Sequence, residues 1–174
     1  MRTSWTGVGT ALVTPFKANG DIDELAYRKL ARRQVDAGIH FLVPCGTTGE
    51  APTLNSAEKR RLAEIAIEEA GSKALVLAGA GGYSTADVLK SVEAMEKIGA
   101  HGILSVTPYY NRPTQEGLYQ HYKAIAESTA LPIILYNVPG RTGCNVDAPT
   151  LTKLAIVRNC PRPRFASKSS SAIW

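Results

Sequence analysis

The chain has 174 residues, 44% apolar and 20% charged, as an ordinary globular domain does. It has no apolar run of about 18 residues to span a bilayer, and its start, "MRTSWTGVGTALVTPF", lacks the charged head and apolar block of a secretory signal. Three cysteines, Cys45, Cys144 and Cys160, are too few and too irregular for a disulfide framework or a zinc site, so a reducing cytoplasm is the expected location. The net charge of +5 does not point to nucleic acid: Arg158, Arg162, Arg164 and Lys168 lie in an acid-free tail, leaving 16 cations against 15 acids elsewhere.

The first expected strand is Val8–Val13, followed by a helix from about Glu24 to Ala37 that stops at Gly38. A strand at His40–Val43 leads to "NSAEKRRLAEIAIEEAG", where Asn55 and Glu58 have capping-box spacing after a possible staple at Leu54. Leu62, Ile65, Ala66 and Ala70 form its apolar face. Ala74–Ala78 is the third strand; the helix after it opens at Ser84 and Asp87 and ends at Gly99. Gly102–Val106 precedes "TQEGLYQHYKAIAEST", which sets Leu118, Tyr122, Ile125 and Ala126 on one face. Ile133–Tyr136 is the fifth strand, and a last helix is expected from about Pro149 to Ala155.

The strands begin about 30 residues apart, the length of one βα unit. They are apolar without alternation, as strands covered on both faces are. The class is therefore α/β with a parallel sheet, either an open doubly wound sheet or part of an eight-unit barrel.

Both architectures place ligands at strand C-termini. The tips here are "TPF", "PCGTTGE", "GAGG", "TPYYNRP" and "YNVPGRTG". Turn formation explains any one of them, but less well the gathering of tyrosines and paired threonines. In GTTGE, Thr47 and Thr48 offer hydroxyls and backbone N–H groups to a small carboxylate, or else form an ST-turn. Tyr110 and Tyr136 suit proton transfer, or else pack under loops. Arg141 suits a bidentate grip on a carboxylate, or else a surface ion pair. GAGG lacks both the G-x-G-x-x-G fingerprint and a Walker lysine, so a phosphate cradle on an open sheet is the weakest reading. His40, His101 and His121 fall away from strand tips, which argues against a histidine triad or a metal site. Cys45 reads as a buried filler.

"GTTGEAPTLN", "VTPYYNRPTQEGLYQHYKAIAE" and "LPIILYNVPGRTG" together resemble the dihydrodipicolinate synthase branch of the pyruvate-dependent class I aldolases, over about residues 5–159. The resemblance implies a parallel (β/α)8 TIM barrel, here its first five βα units. It implies condensation of pyruvate with aspartate-4-semialdehyde through a lysine Schiff base in lysine and diaminopimelate biosynthesis, with no metal or organic cofactor. It also implies a homotetramer of tight dimers, without nucleic acid or membrane. By motif, Thr48 would bind the pyruvate carboxylate, and Thr47, Tyr136 and Tyr110 would relay protons, Tyr110 from across the dimer. Arg141 would hold the semialdehyde carboxylate. Sialic acid lyases (the N-acetylneuraminate lyase type) and keto-sugar-acid aldolases resemble the chain less around "GRTG".

The resemblance stops after Asn159. The tail "CPRPRFASKSSSAIW" has no strand or helix period and places Arg164, which stays protonated, where the family has its imine lysine. Lys168 is four residues late. Residues 160–174 are expected to be a non-homologous basic, Ser-rich tail left by truncation or a frameshift. The chain is then expected to be inactive alone, a non-catalytic fragment that binds pyruvate weakly or associates with another chain.

Overall fold

The computed structural model describes residues 5–159. The tail, with Cys160, Arg164 and Lys168, lies outside the described residues. The chain forms two compact units, residues 5–79 with 97–101, and residues 80–96 with 102–159.

The first unit contains β1 (Gly9–Ala11), α1 (Glu24–Asp36), β2 (Phe41–Val43), α2 (Ser56–Ala70) and β3 (Leu75–Gly79). Its strands are parallel, β1 beside β2 with Gly9 opposite Phe41, and β2 beside β3 with Phe41 opposite Leu75. A short 3-10 turn at Ala51–Thr53 precedes α2. The expected capping box is present: Asn55 accepts from Glu58 N at 3.0 Å, and the Glu58 carboxylate accepts from Asn55 N at 2.7 Å. Asp23 caps α1 by accepting from Ala26 N. Tyr27, Ala31 and Val35 of α1 and Leu62, Ile65, Ala66 and Ala70 of α2 share one apolar core with Leu42 and Val76 of the strands. Outside that core, ion pairs tie the two helices: Arg61 grips both Glu24 oxygens, and Glu69 accepts from Arg28 and Arg32.

Two histidines have a shared structural role here. His40 donates its N–H to Val8 O, and its ring Nδ1 accepts from Val8 N at 3.0 Å. His101 does the same to Val76, whose N–H reaches the His101 ring at 3.1 Å. Each ring thus supplies a hydrogen bond where strand pairing begins.

The second unit contains most of α3 (Thr85–Lys97), β4 (Gly102–Val106), α4 (Gln115–Glu127), β5 (Ile133–Tyr136), α5 (Pro139–Thr142) and α6 (Ala148–Leu154). β4 and β5 are parallel, with Ile103 opposite Ile133 and Val106 opposite Tyr136. Leu118, Tyr122, Ile125 and Ala126 are buried as their spacing predicts. Thr114 caps α4 through Gly117 N. The last helix starts one residue before Pro149, because Asp147 caps it through Thr150 N at 2.8 Å. The four-residue α5 has no counterpart in the sequence expectations.

Candidate functional site

In the first unit, the GTTGE segment forms nested turns past β2, with Gly49 N donating to Gly46 O and Glu50 N to Thr47 O, each at 3.1 Å. The segment is seated on the end of β1: Thr14 Oγ1 donates to Gly49 O at 2.7 Å. A Cβ on Gly49 would stand 2.9 Å from Leu12 O, so only glycine fits there. Thr47 and Thr48 are both exposed. Among the described residues neither hydroxyl has a hydrogen-bond partner, so both are available to a ligand. Cys45 is buried, and burial pushes its thiol up to about 12. It is a protonated filler rather than a nucleophile.

Two of the three glycines of GAGG are used for packing. A Cβ on Gly79 would overlap the Cys45 carbonyl, within the first unit. One on Gly81 would lie 2.5 Å from Val106 N, within the second. This accounts for Gly79 and Gly81 without a phosphate.

The second unit brings three expected site residues onto the neighbouring tips of β4 and β5. Tyr136, half-buried, ends β5; its carbonyl accepts from Thr107 N at 2.9 Å and from Thr107 Oγ1 at 3.1 Å. Tyr122 Oη in turn shares its one hydrogen between Ser105 O and Thr107 Oγ1, at 3.3 and 3.4 Å. Thr107 was not singled out from the sequence, although its place in TPYY beside the tyrosines was a usable signal. Tyr110 is 92% exposed and has φ 73. That left-handed conformation costs a non-glycine residue about 1–2 kcal/mol. Tyr83 and Tyr109 meet edge to face at 5.5 Å beside it in the chain. Arg141 lies on α5 and is exposed. Among the described residues it has no carboxylate partner, so the surface ion-pair reading has no support there.

Backbone strain collects in these loops. The non-glycine residues with positive φ among the described residues are Cys45, Glu50, Tyr110, Arg112 and Asn159. The first four lie in the β2 and β4 tips. Strain of this kind persists where the surroundings over-determine it, commonly at ligand sites. Among the described residues, no three His, Cys, Asp or Glu side chains converge as a metal site requires, and no helix is long and apolar enough to cross a membrane.

Comparison with known proteins places the sequence and the fold in one family. The family model described as "Dihydrodipicolinate synthetase family" matches residues 4–169. The 4-hydroxy-tetrahydrodipicolinate synthase of Thermotoga neapolitana is 57% identical over 149 residues, covering 86% of this chain and 50% of that protein. The crystal structure of dihydrodipicolinate synthase from Aquifex aeolicus superposes with a TM-score of 0.88 at 40% identity, over 97% of this chain and 56% of the other. The chloride-inhibited enzyme from Acinetobacter baumannii, complexed with pyruvate, superposes with a TM-score of 0.90 at 42% identity, over 94% and 56%. The chain thus spans about half the length of the curated relatives it matches. Its five βα units correspond to the N-terminal part of their TIM barrels, and on all these grounds the chain belongs to the dihydrodipicolinate synthetase family.

Proposed function

We propose that this chain carries the substrate-binding part of a 4-hydroxy-tetrahydrodipicolinate synthase, a cytoplasmic lyase condensing pyruvate with aspartate-4-semialdehyde in lysine and diaminopimelate biosynthesis. The observation that carries this reading is the set of strand-tip motifs, GTTGE, TPYYNRP and YNVPGRTG, in a chain 57% identical to such a synthase. Thr48 holds the pyruvate carboxylate through its exposed hydroxyl and turn. Thr47, Tyr136 and Tyr110 move protons: an imine must shed a methyl proton to become an enamine, and the attacked aldehyde oxygen must gain one. Hydroxyls serve because they both donate and accept. Arg141, with no ion-pair partner among the described residues, holds the semialdehyde carboxylate. The 92% exposure of Tyr110 supports its use by a second copy in a homo-oligomer.

The same reading has the 174-residue chain form no imine by itself. Counted without gaps, the family's lysine position falls on Arg164, and a guanidinium does not lose the proton that nucleophilic attack requires. In that state the chain is a pyruvate-binding fragment. Borohydride reduction with pyruvate, followed by intact mass, tests this. No adduct is expected; an adduct mapped to Lys168 would make the chain a competent imine former. Saturation-transfer NMR with pyruvate tests binding: the expected signal weakens in Thr48→Val, and an unchanged signal removes Thr48 from the site.

A further inference from the structure

The Arg141 turn is too short to hold itself. α5 has four residues, far below the length at which a helix is stable alone. What fixes it is a set of side-chain amides outside the turn. Gln115, the first residue of α4, uses both ends of its amide: Nε2 donates to Asn145 O at 2.7 Å, and Oε1 accepts from Asp147 N at 3.0 Å. This mimics one rung of strand pairing with the segment that leaves the turn. Asn137, the residue after β5, works from the other side. It is 5% exposed; its Nδ2 donates to Asn145 Oδ1 at 2.7 Å, and its Oδ1 accepts a longer bond from Val146 N at 3.5 Å.

The turn is also seated on the β4 loop. Cys144 Sγ donates to Pro108 O at 3.0 Å. The Arg112 guanidinium lies over Gly143, with Nε 3.0 Å from where a Cβ would be. Gly143 itself has φ +72 and closes α5 by donating to Pro139 O at 2.9 Å.

We propose that Gln115 and Asn137 are positioning residues for Arg141: they close the chain from Asn137 to Asp147 into a fixed loop and so hold the guanidinium where a substrate carboxylate can meet it. This rests on the reading of Arg141 given above, but the clamp can be tested apart from it. Neither amide touches the amides of residues 141–143. Those three are held within the turn, by Val138 O for Arg141 and Thr142 and by Pro139 O for Gly143. Gln115 is half-buried and does not cap α4, whose cap is Thr114, so its loss leaves the helix start intact.

The test is amide hydrogen exchange on the full chain, with the Arg141 side-chain Nε–H followed by NMR during titration with succinic semialdehyde. In Gln115→Ala and in Asn137→Ala, exchange at 141–143 should accelerate about ten-fold or more, while α4 and β5 keep their protection. The Arg141 resonance should respond saturably in the wild type, and with at least three-fold weaker apparent affinity in Gln115→Ala. Unchanged exchange at 141–143 in both alanine variants overturns the clamp. So does acceleration spread evenly over α4, β5 and α6, which would make the two amides general supports of the unit. If the wild-type Arg141 resonance ignores the semialdehyde while exchange responds as expected, the carboxylate reading of Arg141 is wrong and the clamp stands.

Discussion

Gly79→Ala is expected to disturb the GTTGE turn from below. A Cβ at position 79 would overlap the Cys45 carbonyl oxygen and stand 2.5 Å from the Cys45 carbonyl carbon and 3.1 Å from Gly46 N. Comfortable carbon separations are about 3.5–4.0 Å, so β3 and the end of β2 must part by about 1 Å. The obstacle is backbone on both sides, with no side chain able to rotate away. Gly79 N also donates to Pro44 O at 2.9 Å, and that bond stretches with any such shift. Overpacking of this kind costs about 1–3 kcal/mol, and more where nothing can yield. With a urea slope of about 2 kcal/mol/M, the unfolding midpoint should drop by about 1 M. Gly82→Ala is the control: its Cβ would meet only Val88 Cγ2, at an ordinary 3.6 Å, and alanine there should be neutral or stabilise by about 0.4–1 kcal/mol through the unfolded state. Urea titration followed by far-UV circular dichroism, which reports the helices of both units, reads the difference. Equal effects of the two substitutions would refute the packing account of these glycines.

Two further expectations concern pH. His121 is buried, its Nδ1 2.8 Å from Thr85 Oγ1 and its Nε2 unpartnered among the described residues; burial pushes it down to about 4. Below pH of about 6.5 the unfolded chain takes up a proton that the folded chain refuses, so stability should fall between pH 6.5 and 4, by up to roughly 3 kcal/mol. His121→Phe should flatten that part of the profile of urea midpoint against pH, and an unchanged slope would mean that the ring protonates freely. Burial raises the Glu69 carboxyl, but hydrogen bonds from Arg28 and Arg32 outweigh that and hold it below its ordinary value. Its contribution is therefore complete above pH of about 4.5 and is lost as pH falls through the lower folded value. Glu69→Gln should lower the midpoint at pH 7, and its gap from the wild type should narrow as pH falls below about 4.

The parts of this fold that were legible in the sequence are those written locally. Asn55 and Glu58 sit three residues apart and cap the same turn. The α4 apolar face repeats at helical spacing. The strand tips declared themselves because glycine, threonine and tyrosine collect where a buried strand should simply end. What stayed hidden depends on partners far along the chain. His40 and His101 looked idle, yet each ring accepts a backbone N–H from 32 and 25 residues away. α5 carries no helix period of its own, and its shape is set by Asn137, Gln115 and the Arg112 contact on Gly143. The missing link was tertiary in each case, and no window of neighbouring residues contains it.

The conformation of Tyr110 separates stability from use. Its φ of 73 costs about 1–2 kcal/mol, and at 92% exposure its ring recovers almost nothing by burial within this chain. Asparagine tolerates the left-handed region far better, so Tyr110→Asn should leave the stability of the second unit unchanged or raise it by up to about 1 kcal/mol. A residue that can be replaced at no loss of stability, in a conformation it disfavours, is held there for something outside the fold's own energetics. The proposed proton relay is one such use, and it needs the phenol displayed rather than packed. Thermal unfolding of Tyr110→Asn beside the wild type decides the point. A loss of more than about 1 kcal/mol would mean that the ring is held by contacts within the chain, and the strain would then be a packing compromise with no bearing on the site.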